Sequence, residues 1–218
     1  MPGAATRRTP AGEQTVERIL DEAERLFSER GFGDTSLRDV AREVGIRAPS
    51  LYNHFESKDA LYSAVLARAF QPMMDVLSGF LAKGDQAYVA PRMGADMIRI
   101  LSRNPAAARL IHHEALAGGR HMNALLREWV ERLYGSGLTA MERTPGEHPW
   151  SEEELPLLLI AMSNVITGYF AIAPAFDGVV LEDPLGDAAM RRQAHFMEKL
   201  WSRVWDLPLA ANEGEDDG

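Results

Sequence analysis

Cysteine is absent from all 218 residues, which excludes a disulfide framework, a thiolate nucleophile and cysteine-ligated metal. Lysine stands only at Lys58, Lys83 and Lys199, so arginine carries most of the positive charge. The formal net charge is -9, which runs against the basic balance usual in nucleic-acid binders. Charge acts locally, however, over a screening length of ~8 Å. Arg38, Arg42, Arg47, His54 and Lys58 gather in one short stretch, while acid accumulates elsewhere and at Glu213, Glu215, Asp216 and Asp217. No strand pattern sufficient to build a sheet and no internal repeat is present. Gly31-Phe-Gly33 and Gly135-Ser-Gly137 lack the further glycines and the preceding strand of a dinucleotide fingerprint, and there is no P-loop or nucleophile elbow. The sequence is read as having neither a membrane span nor a secretory signal, and the protein is expected in the cytoplasm.

The informative stretch is residues 35–62. Leu37, Val40, Ala41 and Val44 recur at helical spacing, and Gly45 supplies a residue tolerant of positive φ for a sharp turn. Ile46 can fill the angle between the helix before the turn and a second one beginning near Arg47. Leu51 and Phe55, four apart, share the buried face of the second helix. Pro49, Ser50 and Asn53 fall opposite, with Tyr52 and His54 on the flanks. Pro49 is tolerated because it lies in the first turn, where its missing N–H is not needed. This is the layout of a helix-turn-helix reading head, whose second helix shows its N-terminal side chains to base edges in the major groove. Tyr52, His54 and Lys58 have the chemistry to fix phosphates.

Thr35, Ser36, Val40, Ala41, Gly45, Ile46, Leu51, Tyr52, His54, Phe55, Lys58 and Leu61 follow the running pattern of the TetR-family DNA-binding signature, and the segment resembles that family. The resemblance implies that Arg38 reaches a base or phosphate from the supporting helix. It implies that Ala48, Pro49, Ser50 and Asn53 face bases, and that Thr35, Tyr52, His54 and Lys58 hold phosphates. Arg47 departs from the pattern, standing where many members carry a small residue, and adds a cation to the expected contact set.

Around the head, Val16, Ile19, Leu20, Ala23, Leu26 and Phe27 predict a bracing helix from Glu13 to Arg30, ended by Gly31. The expected fold is all-α: a disordered arm at 1–12 carrying Arg7 and Arg8, a helix-turn-helix domain at 13–62, a larger helical ligand-binding and dimerisation domain at 63–208, and a disordered acidic tail at 209–218. A helix from Asp59 to about Leu81 connects the two domains. Breaks are expected at Gly84 to Pro91, Asn104-Pro105, Gly118-Gly119, Thr144 to Pro149 and Phe176 to Pro184.

Helices near Ser151 to Ala173 and Pro184 to Leu207 carry broad apolar bands. Leu158, Met162, Ile166, Met190, Met197 and Trp201 are assigned to a homodimer interface, a four-helix bundle that the resemblance favours over filling both stripes within one chain. Met93, Met97, Leu101, Ile111, Trp129 and Leu133, with His112 and Asn164 as polar handles, are the expected lining of a small-molecule pocket. Adjacent His112 and His113 diverge by about 100° on a helix, so with Glu114 they do not make a metal site, and no cofactor is expected. The partners implied are a double-stranded DNA operator, a small-molecule effector and a second copy of the chain. A helical-bundle enzyme or metal-binding protein is the alternative.

Overall fold

The computed structural model describes residues 10–83, 86–122, 127, 131, 132, 135 and 150–204. Among these the chain is all-α, with no strand and one isolated bridge between Asp177 and Leu181. Helix α1 (Pro10–Arg30) buries the stripe that its periodicity predicts, from Val16 to Phe27, and ends at Gly31 with φ 78°. Helix α2 (Leu37–Val44) and helix α3 (Ala48–Tyr52) follow, and the long helix α4 (Lys58–Lys83) leads out of the head. Helices α5 (Gln86–Arg103), α6 (Pro105–Leu116), α7 (Leu155–Ile172) and α8 (Asp187–Val204) follow among the described residues, with a short 3-10 helix at Ala173–Phe176 after α7.

Asn104 starts α6 as expected, its side chain accepting the Ala107 N–H at 3.1 Å and Pro105 following at the first position. Ser151 and Glu154 close on one another before α7, so that helix begins at Leu155 and places Pro156 in its first turn. The break expected over Gly84 to Pro91 is narrower, since α5 already begins at Gln86. The break at Thr144 to Pro149, residues 1–9 of the expected arm and the acidic tail lie outside the described residues, while residues 10–12, expected to be disordered, already belong to α1.

Two apolar clusters organise the packing. The first joins α1, α2, Leu51 of α3 and the head-proximal half of α4, and it also takes in Ala107 and Leu110 of α6. Helix α4 runs unbroken through the boundary expected after Tyr62, and the head core continues along it to Ala69. The second cluster lies between α5, α6, α7 and α8 and contains Phe70, Met97, Ile98, Leu101, Phe170, Met197 and Trp201.

The interface assignment needs correction. Met197 is 0% exposed and Trp201 4%, and both pack with Met190, Ile166 and partly buried Met162 inside this second cluster; Leu158 is buried as well. α8 lies chiefly against α5 and α7 chiefly against α6, so the stripes are filled within the chain. The uncovered apolar side chains are on the other faces: Leu157 is 65% exposed, Ile160 60% and Phe196 54%.

The expectation of no membrane-length segment is also overturned, because Leu155–Phe176 is apolar and uncharged enough to span a bilayer by length and composition. Such a helix also arises when one face enters a core and the opposite face is itself apolar, as Leu157 and Ile160 make it here.

Candidate nucleic-acid interface

The head is built by local chemistry. Ser36 caps α2: its hydroxyl oxygen accepts the Asp39 N–H at 3.2 Å, while the Asp39 carboxylate accepts from the Ser36 N–H and hydroxyl. The Ser36 hydroxyl, with its backbone N–H and Arg42, holds the Asp39 carboxyl below its ordinary pKa. At the other end Gly45 adopts φ 78°, ψ 30° and its N–H closes on α2 carbonyls. That conformation costs a residue with a Cβ roughly 1–2 kcal/mol. The turn sets α3 so that Leu51 is fully buried while Pro49, Tyr52 and Asn53 face outward. Ser36→Ala is expected to lower the unfolding free energy by about 1 kcal/mol, measurable as a shift in the urea midpoint at unchanged slope.

Most of the expected DNA-facing residues stand at the surface. Arg38, Arg47, Pro49, Tyr52 and Asn53 are exposed, and Ala48, Ser50, His54 and Lys58 are half-buried. Arg47 occupies the N-cap of α3 in an extended conformation without a capping side-chain bond, which leaves its guanidinium uncommitted to the helix start. Ala48 packs partly against the head core.

Thr35 is a correction. It is 1% exposed and its hydroxyl donates to the Gly31 and Leu26 carbonyls at 2.9 and 3.3 Å. Its side chain therefore ties the α1–α2 turn to the end of α1 and is withdrawn from any phosphate.

Lys58 is positioned by its neighbours: its ammonium donates to the Gly33 carbonyl at 3.1 Å and sits 4.3 Å from the Phe32 ring centroid. Between the starts of α2 and α4 lies an open concavity of about 750 Å³. Arg38, Tyr52 and Lys58 line it together with Ser36, while Asp34 and Glu56 supply acid at its margin. Two helix N-termini with two cations and a phenol beside them provide donors and positive potential for a backbone phosphate.

Behind this face, besides the apolar packing of α6, polar contacts among the described residues fasten the head to the rest of the molecule in two places. Arg68 of α4 donates to Glu24 and Asp21 at 2.9 and 2.7 Å and to Glu17 at 3.3 Å, while Asn104 at the start of α6 donates to Glu24. Burial works against the Arg68 charge, but the surrounding carboxylates outweigh it and hold its pKa above the ordinary value.

The second fastening uses Glu114 of α6, next to His113. Glu114 is buried, accepts the His121 N–H at 2.8 Å and faces the His121 ring, whose Nε2 lies 2.9 Å from Asp59 at the start of α4. The hydrogen bond to His121 holds the Asp59 carboxyl below its ordinary pKa, while burial and then the Glu114 charge push the Tyr62 phenol up. Phe32 and Tyr62 flank the imidazole at 4.7 and 4.9 Å. A carboxylate standing as the one acidic residue of α6 was the available sequence signal for Glu114; its partner His121, and Asp59 beyond it, lie outside that helix.

The expected pocket residues do not come together as one set. Met93 and Met97 share a small cavity with α7 and α8, whereas Leu101 and Ile111 are packed core. His112 is half-buried facing Gly168, and Asn164 is exposed with its amide donating to the Ile160 carbonyl. Trp129 and Leu133 lie outside the described residues. Among the described residues no group of three potential metal ligands is assembled.

Among the described residues, an N-terminal helix-turn-helix head is braced by a first helix and joined by a continuous α4 to a larger helical body, the architecture of a helix-turn-helix DNA-binding protein. The profile described as bacterial regulatory proteins, tetR family, matches residues 19–65, so the similarity to that family lies in the head. It is 38% identical over 61 residues to IcaR of Staphylococcus aureus, the negative transcriptional regulator of the icaADBC biofilm operon. That match covers 28% of this chain and 33% of IcaR, so the chain spans about a third of the length of the curated relatives it matches. The fold extends further. A TetR-like transcriptional regulator from Rhodococcus sp. RHA1 superposes with a TM-score of 0.62 at 20% identity, covering 90% of this chain and 97% of that one. A gamma-butyrolactone receptor described as ArpA-like gives 0.60 at 20% identity, covering 86% and 97%.

Proposed function

We propose that this protein is a ligand-responsive transcriptional repressor that binds an inverted-repeat operator as a homodimer. The observation that carries the DNA reading is the outward set on α3, with Pro49, Tyr52 and Asn53 exposed beside Arg38 and Lys58 over the concavity between α2 and α4. Asn53, Ser50 and Arg47 are the base-reading candidates. Tyr52, His54 and Lys58 fix the backbone, and Arg38 serves either role. Repression is favoured by the similarity of the head to IcaR, a negative regulator. Effector response is favoured by the shared fold with a gamma-butyrolactone receptor and by the two fastenings through which a change in the body reaches α1 and α4. The protein acts in the cytoplasm on this reading, α7 presenting its outer apolar face to a partner subunit rather than to lipid.

The direct test is footprinting across the protein's own promoter. A protected inverted repeat with half-site centres roughly 34–36 Å apart is the expected result, and no protection at any promoter fragment counts against it. With the operator in hand, Tyr52→Phe and Lys58→Ala are expected to weaken binding evenly across operator variants. Asn53→Ala is expected to change preference at particular base pairs by about 1–3 kcal/mol. Gel shifts on single-base operator variants separate the two patterns, and unchanged affinity in all three proteins would remove the head from the reaction.

A further inference from the structure

Among the described residues one buried side-chain polar atom has no hydrogen-bond partner, the indole Nε1 of Trp201. Indole nitrogen only donates, and a donor withdrawn from water without an acceptor is a standing cost to the fold. The ring is held from its other edge. A Cβ at position 94 would come within 2.8 Å of Trp201 Cε3 and 3.1 Å of Cδ2, so Gly94 is what lets α8 lay the indole on α5. Beside the ring is a cavity of about 30 Å³, walled by Met93, Met97, Met162, Leu159 and Ile166 with Ser163. The Ser163 hydroxyl is already donating to the Ile160 carbonyl at 2.9 Å, and no charged side chain lines the space.

We propose that this cavity is the effector site, and that Trp201 Nε1–H donates to the carbonyl of an uncharged, otherwise apolar ligand. The proposal rests on the reading of the protein as effector-responsive. The wall chemistry selects the class. A carboxylate or an amine would enter a low-dielectric space with no counter-charge, and a polyol would bring more polar groups than the wall can satisfy. A hydrocarbon would leave the indole N–H unpartnered, whereas a ketone, ester or lactone supplies the one acceptor the site lacks. The closed cavity has room for about one water, so an occupant has to displace side chains. Met93, Met97 and Met162 are the residues suited to it, being unbranched and conformationally adaptable. Opening the cavity parts α5 from α7 and α8, and α5 packs on α4, the helix that carries the head.

The test uses the full-length protein with ¹⁵N-labelled tryptophan and three compact probes: cyclooctanone, cyclooctane and cyclooctanecarboxylate. The Trp201 indole resonance, identified by its contacts with Gly94, is expected to move downfield on adding cyclooctanone. The ketone is expected to bind at least about ten-fold tighter than either other probe, one hydrogen bond to a buried donor being at stake. Trp201→Phe keeps a ring and loses the donor, and is expected to reduce ketone affinity by about the same factor while leaving cyclooctane unchanged. A silent Trp201 resonance, equal ketone affinity in the variant, or a preference for the carboxylate would overturn the site. Should the variant fail to fold, the wild-type titration decides alone. A compound that releases operator while Trp201 stays silent overturns this site and leaves effector control standing. A ketone that shifts Trp201 without altering operator affinity leaves the site standing and removes its regulatory role.

Discussion

Replacing Ile160 and Phe196 together by glutamate is expected to give monomers and to lower operator affinity by about 10²–10⁴-fold. Both side chains are large, apolar and more than half exposed, on α7 and α8 respectively. On α7, Leu157, Ile160, Ala161 and Asn164 follow one another at helical spacing along the exposed side. A second copy placing the same helices against these would remove that surface from water and complete the bundle that each chain leaves open. Glutamate in such a contact buries unpaired charge in both subunits. The operator loss follows because a dimer binds its second half-site intramolecularly, and a monomer forfeits that gain. Sedimentation velocity and a gel shift measure the two effects. A dimer persisting in the double variant would place the interface on other surfaces, and full operator affinity in a proven monomer would sink the two-half-site reading. Glutamate at Met197 or Trp201 is a different experiment, since both are core residues and their replacement unfolds the body instead of separating subunits.

Arg68→Met is expected to lower stability by about 3 kcal/mol. Glu24 keeps only 9% of its side chain in contact with solvent and receives Arg68 and Asn104. Without the guanidinium its carboxylate stays in place with one neutral amide as donor. Asn104 is also the cap of α6, so the disturbance reaches α1, α4 and α6 together. Adding Glu24→Leu to the variant removes the stranded charge, and much of the lost stability is expected to return, because an apolar pair of similar volume can replace a buried ion pair. Urea unfolding of the single and double variants gives both numbers. A single variant within about 0.5 kcal/mol of wild type, the range of an ordinary surface change, would show that water already stands in for Arg68.

The head was legible in the sequence because its determinants are local. The α1 stripe, the α2 stripe ended by Gly45, Pro49 in the first turn of α3 and Leu51 opposite Asn53 each follow from spacings of three or four residues. A helix obeys those spacings before any tertiary contact forms. The same reasoning placed Asn104 and Pro105 at a helix start. Local reasoning failed at Thr35, where a hydroxyl suited to phosphate instead finds two carbonyls at the end of α1, a contact set by how the turn folds back.

Local spacing also left the buried face of α7 and α8 undecided, for a physical reason. Periodicity shows that a helix has an apolar stripe, but a helix with apolar residues on two faces has no label saying which face meets its own chain. The sequence by itself determined the all-α class, the helix-turn-helix layout and the outward placement of Pro49, Tyr52 and Asn53, since these depend on short-range helix geometry and turn chemistry. The tertiary structure alone decided that Met190, Met197 and Trp201 pack inward and that Leu157, Ile160 and Phe196 remain outside. It alone brought Glu114, His121 and Asp59 into one junction and left the Trp201 indole without an acceptor, because those outcomes depend on which distant helices share a core.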